Sequence, residues 1–100
     1  MEPVAEFLEN QQPKHRAKVL LAIDRIREFG PHLPFPHSSH VKDSEFRELR
    51  TSFAGQQFRV LYIRDGDEFV LFEAFHKTSH ADLGKALRGA ERYLEDYRKE

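Results

Sequence analysis

Arg50 and Arg59, each inside a run of alternating apolar residues, and the pair His76-Lys77 are the side chains of this sequence best suited to chemistry on a phosphate. A guanidinium donates two parallel N–H bonds to a phosphate, and a lysine ammonium holds one as a point charge. An imidazole exchanges a proton near neutral pH. Together they bind an anion and move a proton without a cofactor. Each residue also has an ordinary reading: arginines neutralised by Glu48 or Glu73, a surface histidine at a strand end, a solvated lysine. A second set, His32, His37 and His40, lacks both a cysteine and a helical His-x-x-x-His frame. Structural zinc takes four ligands in a compact pattern, so no metal site is predicted. The chain holds no P-loop, dinucleotide fingerprint or nucleophile elbow. Having no cysteine, it has neither disulfides nor thiolate chemistry.

One hundred residues predict one domain, 1–100. With 39% hydrophobic and 12% aromatic residues the composition is that of a folded chain. No apolar run reaches the roughly 20 residues that span a bilayer, and no charged-then-apolar leader opens the sequence, so the expected location is the cytoplasm. The formal net charge of -1 argues against a general nucleic-acid binder. Any nucleic-acid role must rest on a local basic patch.

The elements that position these residues read as α+β. Residues 3–12 predict a short helix opened by Pro3, a residue tolerated at the first helical position. From Lys14 to Phe29, Val19, Leu20, Ile23, Ile26 and Phe29 recur at helical steps, and Gly30-Pro31 is a stop. The two segments, parted by Pro13, predict a helical hairpin. Residues 30–44, with three prolines and three histidines, predict an irregular stretch. Strands are expected at Phe46–Phe53, Gln57–Arg64 and Glu68–His76, turning at Ala54-Gly55 and Asp65-Gly66, as a three-stranded antiparallel meander. Asp82–Arg98 predicts a C-terminal helix with Leu83, Leu87, Ala90, Leu94 and Tyr97 on one face and Ser79 with Asp82 near its start.

Two-residue turns place Arg64 opposite Asp67, Val60 opposite Leu71, Arg59 opposite Phe72 and Arg50 opposite Arg59. Alternation then puts Leu49, Phe53, Phe58, Val60, Tyr62, Phe69, Leu71 and Phe75 on the face toward the N-terminal helices. The other face carries Leu61, Val70 and Phe72 at one end, and Arg50, Ser52, Gln57, Arg59 and His76 at the other. Opposed arginines are destabilising unless an anion or a carboxylate sits between them. Both solutions are open from sequence.

The segments PVAEFLENQQPKHRAKVLLAIDRIREFG and FRELRTSFAGQQFRVLYIRDGDEFVLFEAFHKTSHADLGKALRGAERYLEDY resemble the RelE/HigB-like toxins of toxin–antitoxin systems, in the phage-derived Gp49-like branch. The resemblance implies helices packed on a twisted antiparallel sheet. It also implies metal-independent and cofactor-free cleavage of mRNA in the ribosomal A site by 2′-hydroxyl attack, and an antitoxin partner that often carries a helix-turn-helix domain. It carries over Arg50 and Arg59, and the basic exit from the last strand, commonly Lys-Lys in this branch, falls on His76 and Lys77. At these positions Arg50 and Arg59 are expected to be catalytic and phosphate-binding, Lys77 to bind phosphate, and His76 to be the proton-transfer group. The sequence departs from the family in three ways: no strand precedes the helical hairpin, Ala81-Asp82 replaces the usual Thr-Pro, and the charge is near neutral. Two other readings follow, a non-catalytic protein-binding or regulatory module and a toxin with a non-ribosomal target such as gyrase.

Overall fold

A computed structural model describes residues 2–30 and 37–99 of the chain. Helix α1 (Glu2–Glu9) turns into α2 (Pro13–Phe29) because Pro13 has no N–H for a preceding helix and pushes Gln12 to extended backbone, φ -62° and ψ 150°. The guanidinium of Arg16 closes this hairpin by donating to the carbonyls of Leu8, Glu9 and Gln11 at 2.8, 3.3 and 3.2 Å. The Leu8 and Glu9 carbonyls lie in the last turn of α1, where a helix runs out of its own donors, and that of Gln11 lies in the link to α2. Gly30 ends α2 with φ 57°, and its N–H bonds to the Ile26 carbonyl. Pro31 lies outside the described residues.

Four strands follow in one antiparallel sheet of order β1-β2-β3-β4: Ser38–His40, Arg47–Phe53, Gln56–Asp65 and Glu68–Lys77. The expected meander is β2–β4. Strand β1 is an addition, found inside the stretch expected to be irregular. Its three residues, Ser-Ser-His, carry no apolar alternation, so no strand pattern marks them. Pairing to β2 and the buried Ser38 hydroxyl hold them instead: Ser38 Oγ accepts from Arg47 Nε at 3.0 Å and meets the Tyr62 hydroxyl at 2.6 Å. Helix α3 (His80–Lys99) closes the fold. Asp82 caps its start, accepting from the backbone N–H groups of Thr78 and Ser79 at 2.6 and 2.9 Å.

The sheet is covered on both faces. Against α1 and α2 it packs Leu49, Phe58, Val60, Tyr62 and Ala74, with Val19, Ala22 and Ile26 from α2. Against α3 it packs Phe46, Leu61 and Phe72, with Ala86, Ala90 and Leu94 from the helix. Leu20 and Phe29, expected on the apolar face of α2, are exposed, and Ala22 is buried in their place. Near its end α3 is tied down by Arg98 on Glu45 and by the Tyr97 hydroxyl on Asp65.

Register decides which residues meet. The first hairpin follows the two-residue expectation, with Ala54 and Gly55 both at positive φ and Arg50 opposite Arg59. The second does not. Asp65 pairs with Glu68, so Gly66 and Asp67 are the loop, with Gly66 at φ 62° taking the first loop position. A bulge then opens between Leu61 and Tyr62: Tyr62 pairs with Leu71 but Leu61 pairs with Glu73, leaving Phe72 as the extra residue. Phe72 and Glu73 therefore both turn toward α3, and alternation is inverted for the rest of β4. Arg59 lies opposite Phe75 instead of Phe72, and Val60 opposite Ala74 instead of Leu71. Phe75 accordingly packs with the α3 cluster, not with α1 and α2.

Candidate functional site

The structure gathers cationic side chains at the edge of β2 that lies beyond the end of β1. Helix α2 supplies Lys18 and Arg25, seven residues apart and so two turns along one face. Strand β2 supplies Arg50, and β3 supplies Arg59 opposite it. With His37, Thr51, Ser52 and Gln57 they line an open cavity of about 330 Å³, and among the described residues no carboxylate lines it.

The two arginines are held from below. Glu48, also on the α3 side of β2, places one carboxylate oxygen between them: Oε1 is 2.8 Å from Arg50 Nε and 3.4 Å from Arg59 Nε. Its side chain is 3% exposed, that of Arg59 is 8% and that of Arg50 is 32%. Arg59 is further fixed by Nη1, which donates to Gln57 Oε1 at 3.2 Å and to the Phe58 carbonyl at 3.1 Å. Burial lowers the pKa of the Arg59 guanidinium; Glu48 opposes this and Arg50 adds to it. The opposed pair is thus solved by a carboxylate. One negative charge against two positive ones leaves the trio net positive, with Arg50 on the outer side.

Desolvation within the trio is incompletely compensated. Glu48 Oε2 and Arg59 Nε are buried and accept or donate no hydrogen bond among the described residues. The Arg59–Glu48 contact is therefore an ion pair without a well-aligned hydrogen bond. His37 stands at the cavity wall, its Nδ1 3.2 Å from Arg25 Nη1. A guanidinium only donates, so Nδ1 is the acceptor and the ring N–H is at Nε2.

Lys77 lies opposite Gln57 and hence on the same face as Arg59, the next position along the sheet. His76 does not. The sequence places it beside Arg50 and Arg59, but the bulge sets it opposite Phe58, on the face covered by α1 and α2. Its ring stacks on Phe58 with centroids 5.2 Å apart, and His15 packs 5.3 Å from both Phe53 and Phe58. His76 also borders a different cavity, between the free edge of β4 and α3, shared with Glu73, Lys85 and Tyr93.

Lys18, Arg25 and His37 are the residues that reading the sequence missed here. The first two were legible as cations at helical spacing, had the strand edge beside α2 been known. His37 and His40 were weighed only as metal ligands; His37 bonds Arg25 and His40 Nε2 meets the Ser44 carbonyl at 2.7 Å. His32 lies outside the described residues. Among those residues no three His, Asp or Glu are grouped to hold a metal ion, and no helix is long and apolar enough to cross a membrane.

Compared with known proteins, residues 6–95 match a family model described as phage-derived protein Gp49-like (DUF891). No curated protein and no solved structure matches the chain.

Proposed function

The chain belongs to the Gp49-like family of phage-derived proteins, a RelE-like toxin family of toxin–antitoxin systems, and from that membership we propose that it is a toxin that cleaves mRNA on the ribosome. One observation carries the reading: four cationic side chains from α2, β2 and β3 line a cavity that has no carboxylate among its described lining residues. A single-stranded RNA backbone is the polyanion such a groove accepts.

In this reading Arg50 and Arg59 hold the scissile phosphate and stabilise charge that develops on its oxygens. Glu48 fixes their side chains in advance, so little reorganisation accompanies the reaction. Lys18, Arg25 and Lys77 hold neighbouring phosphates. The 2′-hydroxyl loses its proton as its oxygen bonds to phosphorus, the bond to the 5′-oxygen breaks, and that oxygen takes up a proton. The products are a 2′,3′-cyclic phosphate and a 5′-hydroxyl. Of the two imidazoles we assign proton transfer to His37, which lines the cavity, over His76, which lies on the other face. The ribosome supplies the rest of the geometry, which places the activity in the cytoplasm, and a cognate antitoxin restrains it.

A second reading, a protein-binding module without catalysis, draws on Glu48 itself, since a carboxylate already occupies the place between the two arginines. Controlled expression with mapping of mRNA ends separates the two. The toxin reading expects growth arrest with new mRNA 5′ ends that vanish for Arg50→Ala. Intact transcripts with well-folded protein would favour the binding module.

A further inference from the structure

Leu21 and Phe29 on α2 are 57% and 51% exposed, although both are large and apolar. At 3.6 residues per turn, Lys14, Lys18, Leu21, Arg25 and Phe29 fall within about 80° of arc around the helix. From Lys18 to Phe29, cations and apolar groups thus alternate along one stripe. It is not the buried stripe, which is formed by Val19, Ala22 and Ile26. Lys18 and Arg25 belong both to this stripe and to the wall of the basic cavity, so the two make one continuous surface.

RNA accounts for the cations but not for Leu21. An aliphatic side chain offers a phosphate backbone nothing, and bases stack on aromatic or guanidinium planes. An amphipathic helix, by contrast, sets apolar anchors at intervals of three, four and seven residues, which suits two apolar side chains eight residues apart on α2. Charge complementarity selects its polar residues, because the described lining of the adjoining cavity is cationic and includes no carboxylate. Glu28, on the flank of the stripe, disfavours an acidic residue opposite it and so helps to fix the register.

We propose that the α2 stripe and the adjoining cavity bind an acidic amphipathic helix of a protein partner, with its apolar residues on Leu21 and Phe29 and its carboxylates on Lys18 and Arg25. That this partner is inhibitory rests on the toxin reading above; the preference for an acidic amphipathic helix does not. Occupancy engages two of the cavity's four cations and blocks approach to Arg50, so inhibition is by occlusion.

The test measures binding of the full chain to three labelled probes by fluorescence anisotropy. These are a glutamate-rich amphipathic helical peptide of about 20 residues, a scrambled peptide of the same composition, and a short single-stranded RNA. The amphipathic peptide should bind about tenfold more tightly than the scramble. The Leu21→Ser/Phe29→Ser variant should lose that preference, keep its thermal unfolding transition and bind RNA as before. Lys18→Glu/Arg25→Glu should weaken both ligands. Equal binding of the two peptides, or a Leu21→Ser/Phe29→Ser variant that loses RNA but not the peptide, overturns the proposal. Cleavage of mRNA is assayed in parallel: peptide discrimination without cleavage sinks the toxin reading alone, and cleavage without peptide discrimination sinks the docking surface alone.

Discussion

Arg50 and Arg59 stand directly opposite each other on neighbouring strands and share one carboxylate oxygen, Oε1 of Glu48, at 2.8 and 3.4 Å. Removing that carboxylate leaves two guanidiniums facing each other, one of them buried. Glu48→Gln, close to isosteric, is expected to cost about 3 kcal/mol of stability. Urea denaturation reads this. A loss below about 1 kcal/mol would mean that the trio is solvated more than its burial suggests.

The two arginines differ in what they risk. Arg50 is partly exposed and Arg59 is buried, so Arg50→Ala should cut mRNA cleavage about 100-fold and cost about 1–3 kcal/mol of stability, because buried Glu48 loses its 2.8 Å hydrogen bond. Arg59→Ala should lose cleavage and still more stability, since it empties a buried site and removes the bonds to Gln57 and the Phe58 carbonyl. Cleavage in a translation reaction, paired with thermal melting of each variant, separates the two.

Glu73 and Gly89 are coupled by close approach. A Cβ built on Gly89 would lie 2.7 Å from Glu73 Oε2, closer than atoms tolerate, so the end of the Glu73 side chain must move if position 89 carries one. The carboxylate end of Glu73 is flexible and alanine suits a helix interior better than glycine, so Gly89→Ala should change stability by less than about 1 kcal/mol. With Glu73→Ala in place the same substitution should stabilise by up to about 1 kcal/mol. A double-mutant cycle measures the coupling, and strictly additive effects would refute it.

Burial also sets a pH dependence. It raises the folded-state pKa of Glu73 above the ordinary 4.5, with Arg92 opposing. Between the unfolded and the folded value the folded state binds more protons, so this group makes stability fall as pH rises through that window. Asp82 works the other way. Hydrogen bonds from Thr78 and Ser79 depress its pKa below 3.8, so its contribution is present above that value and is lost as pH falls through the folded one. Glu73→Gln should therefore flatten the decline above pH 4.5, and Asp82→Asn should remove an acid-side loss. Thermal melts from about pH 3 to 8 test both signs.

The two histidines give opposite expectations. His37→Ala should lower cleavage and flatten its pH profile, because an imidazole near the phosphate is gone. His76→Ala should leave that profile in place and lower stability, by removing a ring stacked on Phe58. The reverse pattern would return proton transfer to His76.

Much of this arrangement was legible in the sequence, and the exceptions have physical causes. The helices announced themselves by periodicity, and Ala54-Gly55 fixed the first hairpin, which brought Arg50 opposite Arg59. Strand β1 was not readable because Ser38–His40 lack an alternating pattern and are held by pairing and by the Ser38 hydroxyl. The face of His76 was misread because a bulge depends on how Phe72 and Glu73 pack under α3, and no residue type in β4 marks it. Lys18 and Arg25 were visible as cations, but their relation to β2 is tertiary. A strand edge and a helix flank meet only once the sheet is assembled.

The most direct measurement uses purified protein, translating ribosomes and an mRNA whose cleaved position carries either a 2′-hydroxyl or a 2′-deoxy sugar. The ribose substrate should be cut to a 2′,3′-cyclic phosphate and a 5′-hydroxyl, and the deoxy substrate should remain whole. Intact ribose mRNA, or equal cleavage of both substrates, would contradict a cationic cavity that works by 2′-hydroxyl attack.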